Sequence, residues 1–186
     1  MATIDDILIF WFGDAEPETA SEYRQAWFKR NPEFDAEIER RFGSDVVAAA
    51  SGAVDEWAAS AAGSLALCIL LDQFPRNLYR GSPKAFASDA KARAIAGQAI
   101  DASHDMALSP VKRAFMYLPF EHGETLADQQ RSVELFRALG NELQYRYALE
   151  HYYVISRFGR FPTRNKALGR VDTAEETTFL ATFSSF

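Results

Sequence analysis

Leu65-Ala66-Leu67-Cys68-Ile69-Leu70-Leu71-Asp72-Gln73-Phe74-Pro75-Arg76-Asn77 is the stretch that decides the fold. From Leu65 to Leu71 every position is apolar, so a helix built from it offers no polar side to water and needs other helices around it. Outward from this stretch, 30 alanines against seven valines favour helix over sheet, and no run of strict alternation marks a strand. The fold class is all-α.

Helix starts are legible along the chain. Thr3 with Asp6 precedes Ile7 to Phe12, and Asn31-Pro32 supplies an N-cap and a first-turn proline. Ser82-Pro83 opens an alanine-rich stretch to Ala102, where Ala90, Ala94 and Gly97 form a small-residue stripe suited to close helix approach. Ser109-Pro110 opens a short helix expected to end before Pro119. Thr125 with Asp128 opens another, closed by Gly140. A further apolar segment runs from Leu143 to Phe161, and Thr173 with Glu176 is a capping box before Phe179, Leu180 and Phe183. Seven to nine helices in antiparallel pairs follow, with no linker, so residues 1–186 form one helical domain.

Two helices share an ending. Asp72-Gln73-Phe74-Pro75-Arg76-Asn77 is matched by Gly159-Arg160-Phe161-Pro162-Thr163-Arg164-Asn165. Proline withdraws a backbone donor and disfavours the α region for the residue before it, so each run is expected to stop at Phe-Pro and to present arginine at a helix mouth. Arg76, Asn77, Asp72, Arg157, Arg160, Arg164 and Asn165 are the binding candidates, because guanidinium groups at such a mouth suit bidentate recognition of carboxylate or phosphate. Between Arg146 and Arg170, six basic residues face one acid, Glu150, although the chain carries a net charge of −6. That local surplus favours an anion-attracting pocket.

The same balance argues against nucleic acid as a partner. The longest apolar runs fall far short of the roughly 20 residues that cross a bilayer. Asp5 and Asp6, with no Lys or Arg before Arg24, do not make a secretory signal, and the lone Cys68 excludes an internal disulfide framework. These features point to the cytoplasm. No phosphate loop, dinucleotide fingerprint or paired-cysteine spacing appears, so neither cofactor nor metal is expected.

Pro119-Phe120-Glu121-His122-Gly123-Glu124 places two carboxylates and an imidazole between a proline and the next helix start. His151 lies on an apolar helix face with Tyr147 and Ile155 four residues either side, upstream of the arginines. Glu121, His122 and His151 are therefore the catalytic candidates, as general acid–base groups.

Taken together, Leu8-Ile9-Phe10-Trp11-Phe12-Gly13, Trp27-Phe28, Leu70 to Asn77, Ala85-Phe86-Ala87-Ser88-Asp89, Pro119-Phe120-Glu121-His122, and His151 with Arg157 to Asn165 resemble an uncharacterised bacterial domain-of-unknown-function family with a tetratricopeptide-like helical fold. Gly123 stands where that family has Ser, and Thr163 where it has His. The resemblance implies antiparallel helix pairs in a right-handed array around a concave polar groove, and it carries no activity.

The function is thus open at the level of sequence. The leading expectation is a helical binding module for a small anionic molecule or a peptide carboxylate. A hydrolase-type enzyme using Glu121, His122 and His151 with arginine stabilising the anion is the alternative. The third is an assembly module, such as a homodimer, with Trp11 or Trp27 exposed to a partner.

Overall fold

A computed structural model describes residues 1–16, 18–19 and 24–182, so Phe183 lies outside the described residues. Regular structure among them is helical throughout, without strands. The helices are α1 (Ile4–Phe12), α2 (Pro32–Ser51), α3 (Ala61–Cys68), α4 (Phe74–Leu78), α5 (Asp89–Asp101), α6 (Pro110–Glu121), α7 (Leu126–Leu139), α8 (Glu142–Phe158), α9 (Asn165–Leu168) and α10 (Ala174–Thr182). A π-helical turn over Ile69–Gln73 joins α3 to α4 without a break. The chain divides into two compact units, Met1–Arg80 with Lys84–Pro119, and Gly81–Pro83 with Phe120–Phe186.

In the first unit, α3 packs against α1 and α5. Leu65, Leu67, Ile69, Leu70 and Leu71 are fully buried, each stabilising the core by about 1.5–3 kcal/mol. Cys68 is buried among them, and burial pushes its thiol far above the ordinary cysteine value. Phe74 stacks on Phe42 at 5.2 Å and meets Phe10 edge-on. Trp11 and Trp27 belong to this core, not to an exposed face. Their rings lie 6.3 Å apart, and Trp27 Nε1 donates to Trp11 O at 2.9 Å. That removes the exposed tryptophans on which an assembly surface was expected. The reason is α1 itself, whose apolar residues cover so much of its circumference that its tryptophan has to turn inward.

Four prolines behave differently from expectation. Pro75 does not stop its helix. The preceding π turn sends Phe74 N to Ile69 O, five residues back, and this wider turn accommodates a ring that would clash in an ordinary α turn. Pro119 also lies inside its helix, since α6 continues to Glu121. Pro162 is the converse case. Its helix, α8, has already ended at Gly159, which takes φ +70°, and the proline opens a separate 3-10 turn over Pro162–Arg164. Ser82-Pro83 likewise leads only into a 3-10 turn, and α5 begins at Asp89. Its buried small-residue stripe is Ala92, Ala96 and Ala99, whereas Ala90 and Ala94 face solvent.

In the second unit, α7 and α8 form an antiparallel hairpin joined through Gly140 and Asn141. Gly140 ends α7 at φ +79°, and Asn141 caps α8 by accepting from Gln144 N. Val154, Ile155 and Phe161 make the core beyond it, with Phe158 and Phe179 packed against them. α10 begins at the capping box read from sequence: Thr173 Oγ1 accepts from Glu176 N at 3.1 Å, and Thr173 N donates to Glu176 Oε2 at 2.7 Å.

Candidate functional site

The sequence candidates fall in both units. Asp72, Arg76 and Asn77 belong to the first, at the π turn, which rotates both Asp72 and Gln73 into the interior. Arg76 Nη1 lies 3.0 Å from Asp72 Oδ1 and donates to Asp72 O at 2.8 Å. The same guanidinium grips Asp89 with two bonds, at 2.9 and 3.0 Å. Burial works against its charge, but Asp72 and Asp89 outweigh burial and raise its pKa. Gln73 donates to Asp72 Oδ2, Asn77 donates to Asp35 Oδ1 at 2.7 Å, and Arg80 bonds the same carboxylate. Asp72 and Asp89 therefore both hold the Arg76 guanidinium.

The remaining candidates gather in the second unit. Buried Glu121 and buried His151 approach to 3.5 Å, Oε1 to Nδ1. His151 Nδ1 also lies 2.8 Å from Tyr147 O, one helical turn back. A carbonyl only accepts, so the ring must donate from Nδ1, and the neutral imidazole then carries its lone pair on Nε2. The His122 ring sits 6.4 Å from that of His151, and Phe161 meets His151 edge-on at 5.6 Å. Arg164 stacks its guanidinium over Phe161 at 4.6 Å and donates from Nη2 to His122 O at 2.9 Å. Glu121, His122, His151 and Arg164 thus meet in one place, and Glu121 stands on the last turn of α6 where a loop was expected.

Arg157 and Arg160 hold acids of the C-terminal segment. Arg160 grips Glu176 through Nε at 2.6 Å and Nη2 at 2.8 Å, and Arg157 pairs with Glu175 at 2.8 Å. Arg160 and the Thr173 amide lower the Glu176 pKa to about 2. Asn165 donates to Asp172 at 2.7 Å. Arg170 takes Glu124 in a two-point grip at 2.9 and 2.7 Å, and Phe161 N donates to Glu124 Oε1. Burial works to raise the Glu124 pKa, but Arg170 and the Phe161 amide outweigh it and the net shift is downward. These grips tie the loop bearing Phe161 and Arg164 to the corner that carries Glu121 and His122.

Among the described residues, no group of three or more His, Cys, Asp or Glu side chains could hold a metal ion. No helix among the described residues is long and apolar enough to cross a membrane. An open groove of about 450 Å³ lies on the seam of α7 and α8, lined by Gln130, Val133, Glu134, Leu149 and Tyr152, none of them a candidate from sequence.

Residues 7–183 match the family model described as bacterial protein of unknown function (DUF924). The chain belongs to this family. A solved structure from Agrobacterium tumefaciens, also a protein of unknown function, is 42% identical to this DUF924 chain. The match covers 95% of this chain and 96% of that one, with a TM-score of 0.86. Among curated proteins, none matches. No DUF924 activity comes with these likenesses.

Sequence reasoning passed over one residue of this DUF924 corner. Gln129 is fully buried on α7 and donates from Nε2 to Glu121 O and Gly123 O, each at 2.7 Å. Its signal was present, because Gln129, Ser132 and Phe136 recur at helical spacing, and a glutamine on such an apolar face must find backbone to bond.

Proposed function

We propose that the second unit carries an acid–base site for a small anionic substrate, with Glu121 and His151 as the reactive pair and hydrolysis as the reaction class. One observation carries the reading: the Tyr147 carbonyl fixes the proton of neutral His151 on Nδ1, which leaves Nε2 as the base. Water loses a proton to Nε2 as its oxygen attacks the electrophilic carbon or phosphorus, and the imidazolium later returns that proton to the leaving group. The Glu121 carboxylate, 3.5 Å from Nδ1, stabilises the imidazolium without taking the proton itself. Arg164 supplies positive charge beside the pair for the negative charge that develops on the substrate. His122 lies alongside as a second proton-transferring group.

A binding module for a peptide carboxylate or a small anion is the second reading. It is favoured by the stacking of Arg164 on Phe161, which leaves a planar guanidinium partly exposed. The two readings separate by turnover. Chromogenic carboxylic esters, phosphate esters and amides are incubated with the protein from pH 5 to 9. The enzyme reading predicts a rate that is bell-shaped or sigmoidal in pH and abolished in His151→Gln. Turnover that survives His151→Gln, or binding of these compounds with no turnover of any, overturns it.

A further inference from the structure

Four consecutive carbonyls, from Phe120 to Gly123, turn the chain from the end of α6 towards α7, and each finds a donor. Phe120 O accepts from Gly123 N at 3.0 Å, and His122 O accepts from Arg164 Nη2. Glu121 O and Gly123 O both accept from the single amide nitrogen of Gln129 at 2.7 Å, and that nitrogen reaches Phe120 O at 3.4 Å. One side chain from α7 therefore sets the path of the backbone that carries Glu121 and His122. The corner also lies close against α7, since a Cβ at Gly123 would stand 2.6 Å from Asp128 Cβ.

The other end of the same amide has no comparable partner. Gln129 Oε1 is buried and lacks a hydrogen bond among the described residues. A methionine would fill the same space and spare the unpaired Oε1, but it would take the Nε2 donor from Glu121 O and Gly123 O. The arrangement makes sense where the position of the corner is worth more than the lost bond, as at sites that hold strained or unpaired groups for function. Gln129 belongs to α7, which pairs with α8, the helix of the imidazole, and its amide reaches the turn that carries the carboxylate.

We propose that Gln129 is a positioning residue, holding the Glu121 carboxylate against His151 by fixing the backbone of residues 120–123. This rests on the reading of Glu121 and His151 as the reactive pair, but it is tested on the protein itself, without a substrate. The titratable groups beside His151 are Glu121 and His122; on the neighbouring segments, Arg164 bonds His122 O and Glu124 bonds Phe161 N.

The experiment follows the pH titration of the His151 ring by NMR in the wild type, Glu121→Gln, Gln129→Met and Gln129→Asn. Glu121→Gln sets the displacement caused by losing the carboxylate's charge. The proposal predicts that Gln129→Met moves the midpoint in the same direction by at least half as much, in a protein that keeps its helical spectrum. Gln129→Asn retains the amide but is too short for both carbonyls, and it should do the same. A well-folded Gln129→Met with the wild-type midpoint overturns the proposal, and so does loss of folding in both variants, which would assign Gln129 to architecture. With a responsive substrate in hand, Gln129→Met lowers turnover by about 10–100-fold, as loss of a supporting partner does at comparable sites. If no substrate responds, the titration still decides the role of Gln129, so the two failures are told apart.

Discussion

The carboxylate of Glu121 and the imidazole of His151 lie 3.5 Å apart with little of either side chain exposed to solvent. Glu121 is not held there by its own helix alone. Glu121 ends α6, and its backbone is fixed from α7 by Gln129, while His151 is oriented by Tyr147 on α8. A charge developing on the imidazole at this depth is stabilised mainly by that carboxylate. Glu121→Gln keeps the shape and removes the charge, so it should lower turnover of a responsive substrate by up to about 10,000-fold, as neutralising the carboxylate behind a catalytic imidazole does. Equal rates in wild type and variant would detach Glu121 from the chemistry.

Arg76 is expected to matter for stability. Its guanidinium bridges Asp72 and Asp89, and truncating it leaves two buried carboxylates facing each other. Arg76→Ala should cost about 3–5 kcal/mol in urea unfolding, the cost of breaking a buried pair by removing one partner. Arg76→Lys should recover only part of it, because an ammonium cannot reproduce the two-point grip on Asp89. A loss below about 1 kcal/mol, the scale of an exposed pair, would show that the network is open to solvent.

Acid should loosen the C-terminal helix before the core. The pKa of Glu176 is lowered from 4.5 to about 2 by Arg160 and the Thr173 amide. Between those two values the unfolded chain holds a proton that the folded chain does not, so stability present above pH 4.5 is lost as pH falls towards 2. Glu124 shifts in the same direction. Hydrogen-exchange protection of α10, corrected for intrinsic rates, should therefore decline across this window, and Arg160→Gln should flatten the decline. Protection of α10 that holds steady to pH 2 would contradict the assignment.

Cys68 gives a fourth test. It is fully buried, and its thiol is pushed far above the ordinary cysteine value by burial and by Asp72. Alkylation under native conditions should then be slow and should follow the opening of the first unit. Rapid labelling of the folded protein would show that the α3 helix is accessible.

Much of the fold was legible because its signals are local. Thr3, Asn31, Thr125 and Thr173 each cap the helix their sequence promised, and Gly140 ends α7 in the left-handed region. The proline rule misled at Pro75, where a π turn lets the helix continue, and at Pro119, beyond which α6 runs on to Glu121. The site was legible in composition but not in pairing. Glu121, His122, His151 and Arg164 could be named from their neighbours, but only tertiary structure assigns Arg76 to Asp89, Arg160 to Glu176 and Arg170 to Glu124. Trp11 and Trp27 carried no sign of burial beyond their apolar company, and Gln129 draws its role from backbone oxygens that a sequence does not display.

The central claim is that neutral His151 carries its proton on Nδ1 and its lone pair on Nε2. Long-range proton–nitrogen correlation of the histidine rings, recorded above the titration range and assigned with His151→Gln, reads this tautomer directly. The account predicts a protonated Nδ1 and an unprotonated Nε2 at His151. A ring protonated on Nε2 would remove the base, and the acid–base site with it.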